Sequence, residues 1–280
     1  MMQRTRHFPN RDRLSVLTAT ILFAYALMRF LDLPARVVGA TIFGSALNLE
    51  LNGPVLMLTL VAALISAGSD TLIRSHPRFA ARSARSTVSH WILPGATALV
   101  LGAALNRAPS AQVWLLELGV SALALIVVFV AEYVVVEADD PARDAAALVL
   151  TALAYALALL LFVLLRSLGA RAAISATTGA VTAAAIAWRL FLLNAAPAGR
   201  AAFYAALAGL VCAETIWALN YWRISASAAG LLVMVPFYLS VGLAQQHLAG
   251  RLTRRVWAEF AVVGGLGLAI ALLYALARGR

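Results

Sequence analysis

The chain contains no lysine. A retinal-type Schiff base and a Walker A phosphate loop both need that residue, so neither belongs to its chemistry. Cysteine is almost as scarce: Cys212 stands alone within an apolar run, which excludes an intrachain disulfide and makes it a packing residue. Charge is thin too. Only 12% of the residues are charged, where soluble globular domains carry about 25%.

Apolar residues fill the space: they make up 63% of the 280 residues, and mean hydropathy is +0.89. This is the composition of a membrane protein. Apolar runs recur from end to end and leave no room for a separate soluble domain, so the expected fold is all-α, a polytopic transmembrane helix bundle in a single membrane-embedded domain, residues 1–280. Residues 1–13 form a basic segment ahead of it. With about 20 apolar residues per span, spans are expected at 14–32, 54–73, 91–106, 113–136, 145–165, 173–194, 201–219, 226–247 and 257–276. That makes nine.

Residues 37–52 do not read as a span, because Leu47, Asn48, Leu49, Glu50, Leu51 and Asn52 alternate with the period of a strand. A lone strand exposed to lipid would leave its backbone groups unsatisfied, so the segment is expected to lie at the interface, to re-enter, or to be shielded by helices. Arginine counting supports leaving it out. The net charge of +10 rests on 22 arginines; with nine spans and a cytoplasmic N-terminus, 13 fall in inner segments and 7 in outer ones. A tenth span at 37–52 would change the split to 10 and 10, with no bias. The positive-inside rule therefore favours nine spans, with the N-terminus cytoplasmic and the C-terminus external. The scattered arginines match no nucleic-acid-binding pattern, and anionic headgroups account for them better.

Ionisable groups inside spans are costly and are read first as site candidates. Glu132 and Arg189 each fall about 6 to 8 Å inside the expected cytoplasmic boundary and are ion-pair candidates. Arg29, Glu117 and Glu214 fall near the outer boundary. There, two acids compete for one base. Glu214, Trp217 and Tyr221 follow i, i+3, i+7 spacing and share a helix face. Small residues recur every fourth position at Gly179, Ala183 and Ala187, and again at Ala201, Ala205, Gly209 and Ala213, a pattern for close helix approach. Pro236 should bend the eighth helix.

Few motifs suggest chemistry. The segment EADDPARD, residues 137–144, resembles a loose aspartate-rich metal-diphosphate motif of UbiA-type membrane prenyltransferases. The second aspartate motif such enzymes need is missing, because the later inner loop NAAPAGR, residues 194–200, has no acid. Asp140 as N-cap, Pro141 at the first helical position and Asp144 in the first turn read as a helix start instead. His76 and His90 flank an inner loop and form a candidate loop site, with Ser75 and Ser89 adjoining them and Asp70 the one nearby acid. His247 ends the eighth helix. No spacing among the three histidines matches a metal motif, and no cofactor is implied.

IRSHP at 73–77, HWILPG at 90–95, AEY at 131–133, AETIWALNYW at 213–222 and GLAQQHL at 242–248 together resemble a family of uncharacterised bacterial multi-pass membrane proteins, over about 54–270. The resemblance implies a bacterial membrane and brings no activity with it. The leading functional expectation is a non-catalytic accessory or scaffold component of a membrane assembly, with the lipid bilayer and other membrane proteins as partners and no nucleic acid. The alternatives are a secondary or proton-coupled carrier using Glu132, Arg189 and Glu214, and an intramembrane lipid-processing enzyme built on His76, His90 and Asp139.

Overall fold

The computed structural model describes residues 10–30, 36–42, 45–51, 53–75, 87–137 and 139–278. Among them are nine α-helices: α1 Arg11–Phe30, α2 Gly53–Arg74, α3 Ile92–Leu105, α4 Ala111–Val135, α5 Arg143–Ser167, α6 Ala172–Leu193, α7 Ala198–Asn220, α8 Ala226–Leu248 and α9 Arg254–Arg278. Each covers one of the nine expected spans. Seven of them, α3 to α9, are long and apolar enough to cross a membrane, with α3 counted together with the short turn before it. The two others, α1 and α2, have 20 and 22 residues, about 30 Å or more of helix.

Between α1 and α2 the alternating segment forms an antiparallel hairpin of β1, Arg36–Ile42, and β2, Ser45–Leu51, in a register that runs from Arg36 opposite Leu51 to Ile42 opposite Ser45. The period-two pattern was a true strand signal. The partner is local, and each strand satisfies half of the other's backbone groups.

The chain divides into two compact units, Met1–Ala146 and Ala147–Arg280. In the first, α1, α2, α3 and α4 surround a core of Ile21, Tyr25, Val61, Ile65, Leu125 and Phe129. Tyr25 is almost fully buried and donates its hydroxyl to the Ala98 carbonyl at 2.8 Å. A buried phenol needs such an acceptor. Ser110 caps α4 by accepting from the Val113 N–H at 3.3 Å.

In the second unit α6 and α7 pair as a hairpin along the two small-residue ladders. Ala183, Ala187, Ala201 and Ala205 are all buried there. At Gly209 the approach is closest: a β-carbon would stand 2.6 Å from the Ala180 carbonyl oxygen and 3.0 Å from Ala184 Cβ. Small side chains let two backbones meet. α8 remains one continuous helix through Pro236, and Phe237, beside the proline, packs edge-on against Tyr155 and Phe162 of α5 at 5.9 and 5.8 Å. At its C-terminal half Gly242 admits the ring of Phe260 from α9.

Candidate functional site

One end of the first unit gathers several of its buried polar side chains. A 3-10 turn, Val88–His90, precedes α3; the His90 N–H bonds the Thr87 carbonyl at 2.9 Å and the Trp91 N–H bonds that of Val88 at 3.1 Å. Pro94, in the first turn of α3, costs no helical hydrogen bond, since the first N–H groups have no carbonyl to reach. The turn carries His90 inward to 9% exposure. From α4 comes Glu132, 1% exposed, and His90 Nδ1–H donates to its Oε2 at 2.7 Å.

A second carboxylate holds the same turn from the other side. Asp70 of α2 accepts from Arg74 Nε at 2.7 Å through Oδ2, and the side chains of Thr87 and Trp91 lie beside the same carboxylate. Asp70 Oδ1 and Trp91 Nε1 are both buried without a well-aligned hydrogen bond. The segment 87–91 is thus bracketed by acids from two helices.

A carboxylate on Nδ1 fixes the tautomer and orientation of an imidazole. In a buried setting it also couples the two side chains, because removing either one costs the other a charge-assisted hydrogen bond. The acid that serves His90 is therefore Glu132, 42 residues away in sequence. Asp70, the acid sequence proximity suggested, is occupied by Arg74, and Ser75 Oγ donates to the Leu72 carbonyl at 2.5 Å. Among the described residues no serine hydrolase arrangement is built through Asp70. His76 and the side chain of Arg29 lie outside the described residues.

Glu117, on the first half of α4, is partly buried, and its Oε2 is buried without a hydrogen bond. Glu214 belongs to the second unit and points outward. The two outer acids are therefore in different units. Along α7 the expected face is exposed as one strip: Glu214, then Trp217 at 47% and Tyr221 at 75%. Arg189 on α6 is 2% exposed and engaged. His247 stacks near Tyr204, with ring centroids 5.6 Å apart.

Asp140 behaves as a helix-start residue, 7% exposed, its Oδ1 accepting from the Ala142 N–H at 2.7 Å just before α5. Among the described residues no three histidine, cysteine or acidic side chains gather as metal ligands. One structural residue escaped the sequence reading. Arg166 counts there as a loop charge; at the end of α5 it donates to Asn220 Oδ1 at 3.2 Å and to the Trp222 carbonyl at 2.8 Å, tying α5 to the end of α7. Nothing in local spacing signals a contact over 54 residues.

The family model described as a protein of unknown function, DUF5656, matches residues 33–274. The chain belongs to the DUF5656 family. The match runs from before the hairpin into α9, so it takes in both the turn at 87–91 and the exposed strip of α7. It also covers the 54–270 stretch whose motifs suggested a family of uncharacterised membrane proteins. No curated protein and no solved structure matches this DUF5656 chain.

Proposed function

We propose that this DUF5656 protein is a non-catalytic component of a bacterial membrane assembly, seated in the cytoplasmic membrane with its N-terminus inside, and that it meets a partner protein along the outward strip of α7. The observation that carries this reading is Glu214. It is an exposed carboxylate on a helix apolar enough to cross a membrane, and it lies six residues before the last residue of α7, about 9 Å in from the helix end. A charge facing hydrocarbon at that depth is costly and calls for a counterpart.

Trp217 and Tyr221 extend the same face toward the helix end. Tryptophan and tyrosine bury large area at small entropic cost, which suits them as anchors beside a charge. A basic side chain on a neighbouring membrane protein would complete the set. The polar cluster at the other unit is consistent with this non-catalytic role, since His90 and Glu132 satisfy each other and hold the turn in place. The test is co-purification from the native membrane under mild extraction, with Glu214→Ala and Tyr221→Ala beside the wild type. A stoichiometric protein partner lost in both variants supports the reading, and an equally solitary protein in all three samples removes it.

The buried His90–Glu132 pair favours one second reading, a proton-coupled carrier, because a histidine and a carboxylate sharing a hydrogen bond inside a span can exchange a proton. That reading requires Glu132→Gln to abolish uptake of a solute in a protein that remains inserted. Uptake unchanged by Glu132→Gln excludes it.

A further inference from the structure

Two adjoining clefts open at one end of the second unit, where α6 gives way to α7 and where α8 ends. The first, of about 380 Å³, is lined by Asn194, Gln245, Gln246 and Arg251; the second, of about 360 Å³, by Arg200, Tyr204 and His247. Leu248 borders both. Neither lining includes an acid.

Helix C-termini normally present carbonyl oxygens and repel anions. Here α6 and α8 both close on turns that draw those oxygens back into the chain. The Ala195 and Ala196 N–H groups bond the Leu192 and Phe191 carbonyls, each at 3.1 Å, with Ala195 in the left-handed region at φ 56°. The Gly250 and Arg251 N–H groups bond those of His247 and Gln246 at 3.0 and 2.9 Å, with Gly250 at φ 67°. These are the paired bonds of Schellman-type ends. Four of those oxygens are thereby engaged by backbone donors, which leaves the side-chain donors of the clefts less opposed.

Three observations on those donors agree. Gln245, which lines the first cleft, has its Nε2 buried and without a hydrogen-bond partner, so a small side-chain rotation would free an amide donor for that cleft. Among the described residues neither Arg200 nor Arg251 has a carboxylate within ion-pair distance, whereas nearby Arg255 is taken by Glu259 at 3.0 Å. The second cleft also lies at the first turn of α7, where Gly199 has open space around it and the first N–H groups have no helical acceptor. An unsatisfied amide donor, two uncompensated guanidinium groups and a helix start are suited to the same chemistry.

We infer that this double cleft binds a phosphate group, and its place at the helix ends of a membrane bundle suits the phosphodiester of an anionic lipid headgroup. Basic pockets between membrane helices take such headgroups, and guanidinium recognises phosphate with paired hydrogen bonds. A soluble phosphate ester offers the same oxygens and would use the same donors.

The experiment uses the full chain in nanodiscs of phosphatidylcholine, with and without phosphatidylglycerol, and reads retained lipid by native mass spectrometry after the belt lipid is stripped. Wild-type protein is expected to keep phosphatidylglycerol, and Arg200→Gln and Arg251→Gln each to lose about fivefold in retention. Gln245→Leu should lower it as well. Arg223→Gln, an exposed arginine beyond the other end of α7, should leave retention unchanged. Glycerol phosphate, added to the phosphatidylcholine discs, separates the two sources: saturable binding that depends on Arg200 and Arg251, without phosphatidylglycerol retention, assigns the cleft to a soluble phosphate ester. Retention that is equal in the Arg200, Arg251 and Arg223 variants, with no glycerol phosphate binding, overturns the inference.

Discussion

A buried acid–base pair shows what single residues contribute here. Glu132 was visible in sequence as an intramembrane acid, but its partner was not, because the turn that delivers His90 is 42 residues away and no periodicity links the two. Arg189, the ion-pair candidate that depth suggested, is itself buried and engaged. The physics of the pair gives a clear expectation. His90→Ala should destabilise the protein by roughly 1.5 to 3 kcal/mol, since it takes one hydrogen-bond donor from a buried carboxylate, whereas Glu132→Gln keeps an acceptor for Nδ1–H and should cost less. The double change of His90 and Glu132 to leucine should recover part of the loss. Thermal unfolding in one detergent measures all four proteins. If His90→Ala melts like the wild type, the pair does not hold the turn.

Among elements, the α6–α7 hairpin was the most legible, because its code is local: small residues at every fourth position on both helices mark the faces that meet. Gly209→Ala would drive a methyl to 2.6 Å from a backbone oxygen that cannot swing aside, and such overpacking costs about 1 to 3 kcal/mol. Gly265→Ala, where no atom lies within 4 Å, is the control and should not lower stability. Comparing the two melting temperatures checks the packing directly. A Gly209→Ala protein as stable as the control would show that the helices do not approach as described. The hairpin of β1 and β2 was half legible. Alternation marked Leu47 to Leu51 as a strand, but the first strand, with its adjacent Val37 and Val38, carries no such alternation, so the pairing emerged only in the structure. Arg166 marks the limit of local reading: its acceptors, Asn220 and Trp222, are set by tertiary packing.

For the whole molecule, hydropathy located the nine helices found among the described residues, since a bilayer demands long apolar runs whatever the function. It could not divide them into two units, because every span looks alike to a hydropathy window. Orientation is a matter of charge, and the 13 to 7 arginine split is the ground on which an inside N-terminus and an outside C-terminus are proposed. Reporter fusions at both ends should read cytoplasmic at the first and external at the second; a cytoplasmic signal from both would mean that an even number of segments crosses. Function was the least legible property. In sequence Glu214 reads as an interfacial charge, a carrier residue or a lipid or partner-protein contact, and the exposure of Trp217 and Tyr221 beside it favours the last.

That outward face is where the account is most directly testable. A photo-crosslinking amino acid placed at Trp217 in native membranes should give a discrete protein adduct that Glu214→Ala abolishes, while the same probe at Leu273, an exposed position on α9, gives lipid. Lipid adducts alone at both positions would contradict a partner-bound role.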